Sequence, residues 1–68
     1  MNEEVLNASL RKFLKTVGVT SQREIETAIR DAVAKSSLQG NEKLPVSVRL
    51  QLPRLGLDTV IEGEIELE

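Results

Sequence analysis

The chain has 68 residues, with nine Lys and Arg against eleven Asp and Glu and a formal net charge of -2, which is enough for one small domain with a modest core. Cysteine, histidine, tryptophan and tyrosine are absent and Phe13 is the only aromatic residue. This composition excludes disulfides, thiol nucleophiles, cysteine metal sites and imidazole acid–base chemistry, and leaves no stacking platform for single-stranded nucleic acid.

Charge is unevenly spread. Residues 1–54 hold all nine basic residues against six acids, whereas residues 55–68 hold five acids and no base. The opening MNEEVLNASLRKF places two acids ahead of its apolar residues, which does not fit a secretory signal. No stretch approaches the ~20 apolar residues that span a membrane. The expectation is a soluble cytoplasmic protein.

Asn2 before Glu3 and Glu4 is a helix start, because its side chain can accept from free backbone N–H groups and the acids favour the positive end of the helix dipole. Leu6, Leu10, Phe13, Leu14 and Val17 then recur at helical spacing, and Arg11, Lys12 and Lys15 suit a C-terminal end. A first helix is predicted over residues 2–17, stopped by Gly18 as a left-handed cap. Ser21 and Glu24 have the spacing of a capping box, and Ile25, Ala28, Ile29, Ala32 and Val33 follow one helical face. These residues predict a second helix over 21–37, with Gly40 as its cap glycine and Pro45 closing the linker.

Beyond that point the apolar period changes to two. Val46, Val48, Leu50 and Leu52 alternate with Ser47, Arg49 and Gln51, and Ile61, Ile65 and Leu67 alternate with Glu62, Glu64 and Glu66. Strands over 45–52 and 59–67 joined through PRLGLD form an antiparallel hairpin. The ion pair favours a register with Arg49 opposite Glu62 and Leu50 opposite Ile61. A shift of two residues, with the loop shortened to PRLG, also keeps the faces matched. The expected fold is α+β, a single ααββ domain over residues 1–68 with both helices packed on one face of the sheet. A sheet of two strands leaves both edges open, so a homodimer through the hairpin edge would complete it.

The segment GVTSQREIE carries two readings. It is either the capped joint between two packed helices, or a helix-turn-helix-like element within residues 14–30 that presents Ser21, Gln22 and Arg23 to DNA bases. The second helix balances Arg23, Arg30 and Lys35 against Glu24, Glu26 and Asp31, and a glutamate-lined strand would repel phosphates. Charge therefore favours the joint and disfavours nucleic acid. The basic cluster of Arg11, Lys12 and Lys15 reads as a solvated helix face.

Glu62, Glu64, Glu66 and Glu68 lie too far apart along a strand, at about 6.5–7 Å between alternate positions, to wrap a metal ion. They fit better as protection of an exposed edge. No serine has a histidine to activate it and no glycine-rich phosphate loop is present, so no catalytic residue, metal or cofactor is expected. Leu55 and Leu57 at the hairpin tip, with Val60 on the otherwise polar face, are the least expected apolar residues. Together with Glu62 and Glu64 they form the candidate contact for a protein partner.

The stretches RKFLKTVGVTSQREIE, NEKLP and LGLDTVIEGEIEL cover most of the chain, and on them the sequence resembles a small uncharacterised bacterial family, a domain of unknown function of about this length. The resemblance implies a bacterial cytoplasmic protein with no assigned activity, and no functional residues to carry over. The functional expectation is a non-catalytic module for protein interaction or self-association.

Overall fold

The computed structural model describes all residues from Met1 to Glu68. In chain order it has a helix α1 (Glu3–Ala34), a strand β1 (Lys43–Leu52), a single 3-10 turn (Pro53–Leu55) and a strand β2 (Leu57–Glu66). The chain divides into two compact units, Met1–Ser37 and Leu38–Glu68. The expected α+β class holds, but the two expected helices are one.

Helix α1 begins as expected. The Asn2 side chain accepts from the backbone N–H of Glu4 at 2.9 Å and of Val5 at 3.2 Å, and Glu3 and Glu4 occupy the first turn. The helix then runs for 32 residues without interruption, about 48 Å at ~1.5 Å per residue. Gly18 does not stop it. A glycine inside a helix costs only about 1 kcal/mol relative to alanine, and each further residue adds a backbone hydrogen bond once the helix is nucleated. No proline lies between Met1 and Pro45 to remove one. The expected capping box is likewise absent: Ser21 is half-buried in mid-helix and its backbone needs no cap.

The true C-terminus lies at Lys35, and no basic residue occupies the last turn of the helix. Arg11, Lys12 and Lys15 therefore sit in mid-helix, away from the dipole's negative end. Ser36 takes a left-handed conformation with φ 61, donating its N–H to Val33 O at 3.0 Å, while Ser37 donates to Ala32 O at 2.8 Å. These two bonds are those of a Schellman motif. Ser36 thus does what Gly40 was expected to do, and Gly40, with φ 102, turns the connection that follows.

The hairpin has two strands in antiparallel register, from Lys43 opposite Glu66 to Leu52 opposite Leu57. This is the shorter-loop alternative, with Arg49 opposite Val60 and Leu50 opposite Thr59. The turn decides it. Pro53 begins the 3-10 turn, and Gly56 closes it in the left-handed region at φ 68, donating to Pro53 O. Arg49 still finds an acid, now on the diagonal: its Nε and Nη2 donate to the two Asp58 carboxylate oxygens at 3.0 and 2.8 Å.

Leu44, Val46, Val48, Leu50 and Leu52 share one face of the hairpin with Leu57, Thr59, Ile61, Gly63 and Ile65, and the other face carries the charges. Strand β1 starts two residues earlier than expected, adding Lys43 and Leu44 ahead of Pro45. The Leu67 N–H donates to Glu42 O, which fixes the phase of the ladder. Leu44 and Val46 accordingly face the partner strand, while Pro45 points its donor-less nitrogen outward. Nowhere in the chain is a residue buried.

Two substitutions test this helix. Gly18→Ala meets no atom within 4 Å and should raise helicity and stability by about 0.8–1 kcal/mol, read by circular dichroism during thermal unfolding. A glycine at a left-handed break would instead lose stability on this change. Ser36→Gly should also stabilise, by about 1 kcal/mol, because it relieves the left-handed strain; a loss in chemical denaturation would contradict the cap.

Candidate interaction surface

An amphipathic helix normally hides its apolar stripe. Here Leu10 is 47% exposed, Phe13 55% and Leu14 58%. Val17, Ile25, Ile29 and Ala32 continue the same side of α1 and are half-buried. The hairpin repeats the situation on its apolar face, where Val48, Leu52, Leu57 and Ile61 are all exposed. Both units leave open the faces that their sequence periods make apolar.

The residues expected to contact a partner do not form one patch. Leu55 is 76% exposed in the turn. Leu57 lies opposite Leu52 on the apolar face, whereas Val60 lies opposite Arg49 on the charged face beside Glu62 and Glu64. All three apolar residues are exposed. Gly63 faces Val46, and a Cβ there would stand 3.7 Å from Val46 Cγ1. An open depression beside this pair is lined by Pro45, Val46, Ser47, Glu62 and Gly63.

Ser21, Gln22 and Arg23 are placed differently from a recognition element. The turn that a helix-turn-helix requires is absent, since residues 14–30 are continuous helix. Gln22 is also engaged along the helix, donating from Nε2 to Glu26 Oε1 at 2.8 Å, while Arg30 Nη1 donates to the other Glu26 oxygen at 3.3 Å. The Gln22 hydrogen bond, with Arg30 beyond it, lowers the Glu26 carboxyl below its ordinary value. No three acidic side chains converge into a ligand set.

One organised polar feature escaped the sequence. The Glu42 carboxylate accepts from three successive backbone N–H groups, those of Gln39 at 2.8 Å, Gly40 at 2.9 Å and Asn41 at 3.1 Å. The positive φ of Gly40 curls the chain so that these donors point inward. The chain thus supplies its own anion to a backbone nest. The only signal was a glycine followed two residues later by an acid, which is too common to read. The Gln39 N–H, then the Gly40 N–H, holds the Glu42 carboxyl below its ordinary value. Arg49 does the same for Asp58.

One long helix, one hairpin and two open apolar faces define a small α+β protein whose most conspicuous feature is unsatisfied apolar surface. The chain belongs to a family of unknown function, DUF6494, whose model matches residues 1–68. Membership of a family without assigned activity was the expectation from the sequence. No curated protein and no solved structure matches the chain. No helix is long and apolar enough to cross a membrane.

Acid should open the Glu42 loop. A carboxyl lowered in the folded state contributes stability that is present above its unfolded pKa and is lost as pH falls through the folded value. In an NMR titration Glu42 should titrate below 4.5, its ordinary value, and the amides of Gln39, Gly40 and Asn41 should shift with it. Glu42→Gln should abolish that coupled shift. Amides that do not follow the carboxyl would rule out the clasp.

Proposed function

We propose that this protein is a non-catalytic association module of the bacterial cytoplasm, acting by binding a second copy of itself or another protein. The observation that carries the reading is that no side chain is buried, although 40% of the residues are hydrophobic. Burial of apolar surface is the main favourable term in folding, at roughly 25 cal/mol per Å². An isolated helix gains most of its stability from packing its apolar face, and a two-stranded hairpin alone is marginal in water. A chain built from these two parts is stabilised by whatever covers them.

The side-chain inventory agrees with binding rather than chemistry. With no histidine or cysteine, a nucleophile would have no imidazole to activate it. The shifted carboxyls of Glu26, Glu42 and Asp58 each pair with a donor of the chain itself. The hairpin offers an apolar face, two free edges and an acidic β2, with Leu55, Leu57, Val60, Glu62 and Glu64 as contacts for a protein partner.

Coupled folding and association make stability depend on protein concentration. The thermal midpoint should rise as the chain is concentrated over the micromolar range, with sedimentation equilibrium giving a mass above the 7.5 kDa of one chain. A monomer that unfolds cooperatively at a concentration-independent midpoint would show that the chain covers its own apolar surface, and would end the self-association reading.

A further inference from the structure

The charges of α1 are sorted along its length. Between Glu4 and Glu24 the helix carries Arg11, Lys12, Lys15 and Arg23 and no acid. All four cations are exposed and none is in an ion pair, whereas Arg30 and Lys35 further on are held by Glu26 and Asp31. In the same segment Leu6, Leu10, Phe13 and Leu14 are exposed and Val17 is half-buried. From this coincidence we propose that residues 5–23 of α1 lie flat on an anionic lipid surface, with the apolar stripe among the acyl chains and the cations at the headgroups.

Helix geometry sets the two features side by side. At about 100° per residue, Leu6, Leu10, Phe13, Leu14 and Val17 fall within an arc of about 100°. Val5, Ala8 and Val19 lie outside it. Arg11 stands about 115° to one side of the centre of this arc and Arg23 about 125° to the other, and their long stems allow the charged heads to reach the headgroup level. Lys12 and Lys15 lie further round, where the surface potential of an anionic leaflet still attracts them within a Debye length of ~8–10 Å. The stripe has limits: Glu3 stands in line with it before Leu6, and Ser21 and Glu24 stand in line beyond Val17.

The occupant follows from what this surface needs. An anionic bilayer presents an apolar layer beneath a negatively charged one, so it covers the stripe and meets the cations on both sides of it at once. Nucleic acid supplies the charge without the apolar layer and would leave Leu10 and Phe13 in water. A second copy laid parallel would set the four cations against their own counterparts. The helix does not cross the bilayer; charges at this density suit an interfacial position. Because the whole chain has a net charge of -2, attraction to an anionic surface has to come from this segment.

The proposal goes beyond the association reading and stands without it, since sedimentation in the absence of lipid reads association alone. Its test is flotation of the full chain with vesicles of phosphatidylcholine mixed equally with phosphatidylglycerol, and with vesicles of phosphatidylcholine alone. The chain should bind the mixed vesicles, bind the neutral ones at least about tenfold more weakly, and lose binding as salt is raised. Lys12→Gln combined with Lys15→Gln should weaken binding about 25-fold, or about fivefold for each charge removed near the surface. The chain has no cysteine, so one polarity-sensitive dye reports depth. On Leu10→Cys its emission should shift to the blue with mixed vesicles, and on Ala8→Cys, at the opposite side of the helix, it should not. Equal binding to both kinds of vesicle, or a double variant that binds like the wild type, would overturn the inference. So would a chain that ignores the mixed vesicles at low salt, including one that binds duplex DNA or polyglutamate instead. A dye that shifts at both positions would replace the flat helix with another mode of insertion and overturn it as well.

Discussion

The unbroken backbone ladder through Gly18 is the constraint on which the remaining architecture depends. Had the chain turned there, two short amphipathic helices would have been available to fold against each other and to close a small core. Because every peptide from Glu3 to Ala34 continues one helix, the apolar residues on both sides of Gly18 are held in a single stripe. They cannot approach one another across a turn. A helix satisfies its own backbone hydrogen bonds but has no interior, so its apolar side chains remain for something else to cover.

The hairpin follows the same logic with a different period. Its backbone groups are paired between β1 and β2, its charges lie on one face, and its leucines, valines and isoleucines lie on the other. The ends are well specified. Pro53 and Gly56 set the turn, Arg49 and Asp58 make a bidentate pair on the charged face, and Glu42 clasps three amides where the chain enters β1. All of these contacts are local and solvent-exposed, where ion pairs contribute little to stability. They determine conformation rather than supply the large apolar term.

Self-association is one way in which small chains acquire a core, and it is the reading proposed for this one. The acidic β2 and proline-bearing β1 guard the hairpin against indiscriminate strand addition. Within the hairpin unit, Val48, Leu52, Leu57 and Ile61 on the apolar face and Leu55 in the turn are exposed.

Periodicity and composition determined much of this by themselves. The Asn2 cap, the helical spacing of Leu6 to Val17 and of Ile25 to Val33, and the alternation in VSVRLQL and VIEGEIEL are set by geometry within a few residues, so they were legible without a structure. The absence of histidine and cysteine was equally plain. Whether Gly18 bends or continues the helix was not legible, because an interior glycine costs only about 1 kcal/mol relative to alanine. Hairpin register was ambiguous for the same kind of reason: two alignments kept the faces matched, and only the geometry of the Pro53–Gly56 turn chose between them. The Glu42 clasp depended on the backbone curl at Gly40, and the cap at Ser36 on a left-handed serine that sequence statistics disfavour. The residue types determined which faces are apolar, but the fold decided that α1 is one continuous helix and that β1 and β2 pair with Leu52 opposite Leu57, since a helix break and a strand register depend on backbone conformations that residue types leave open.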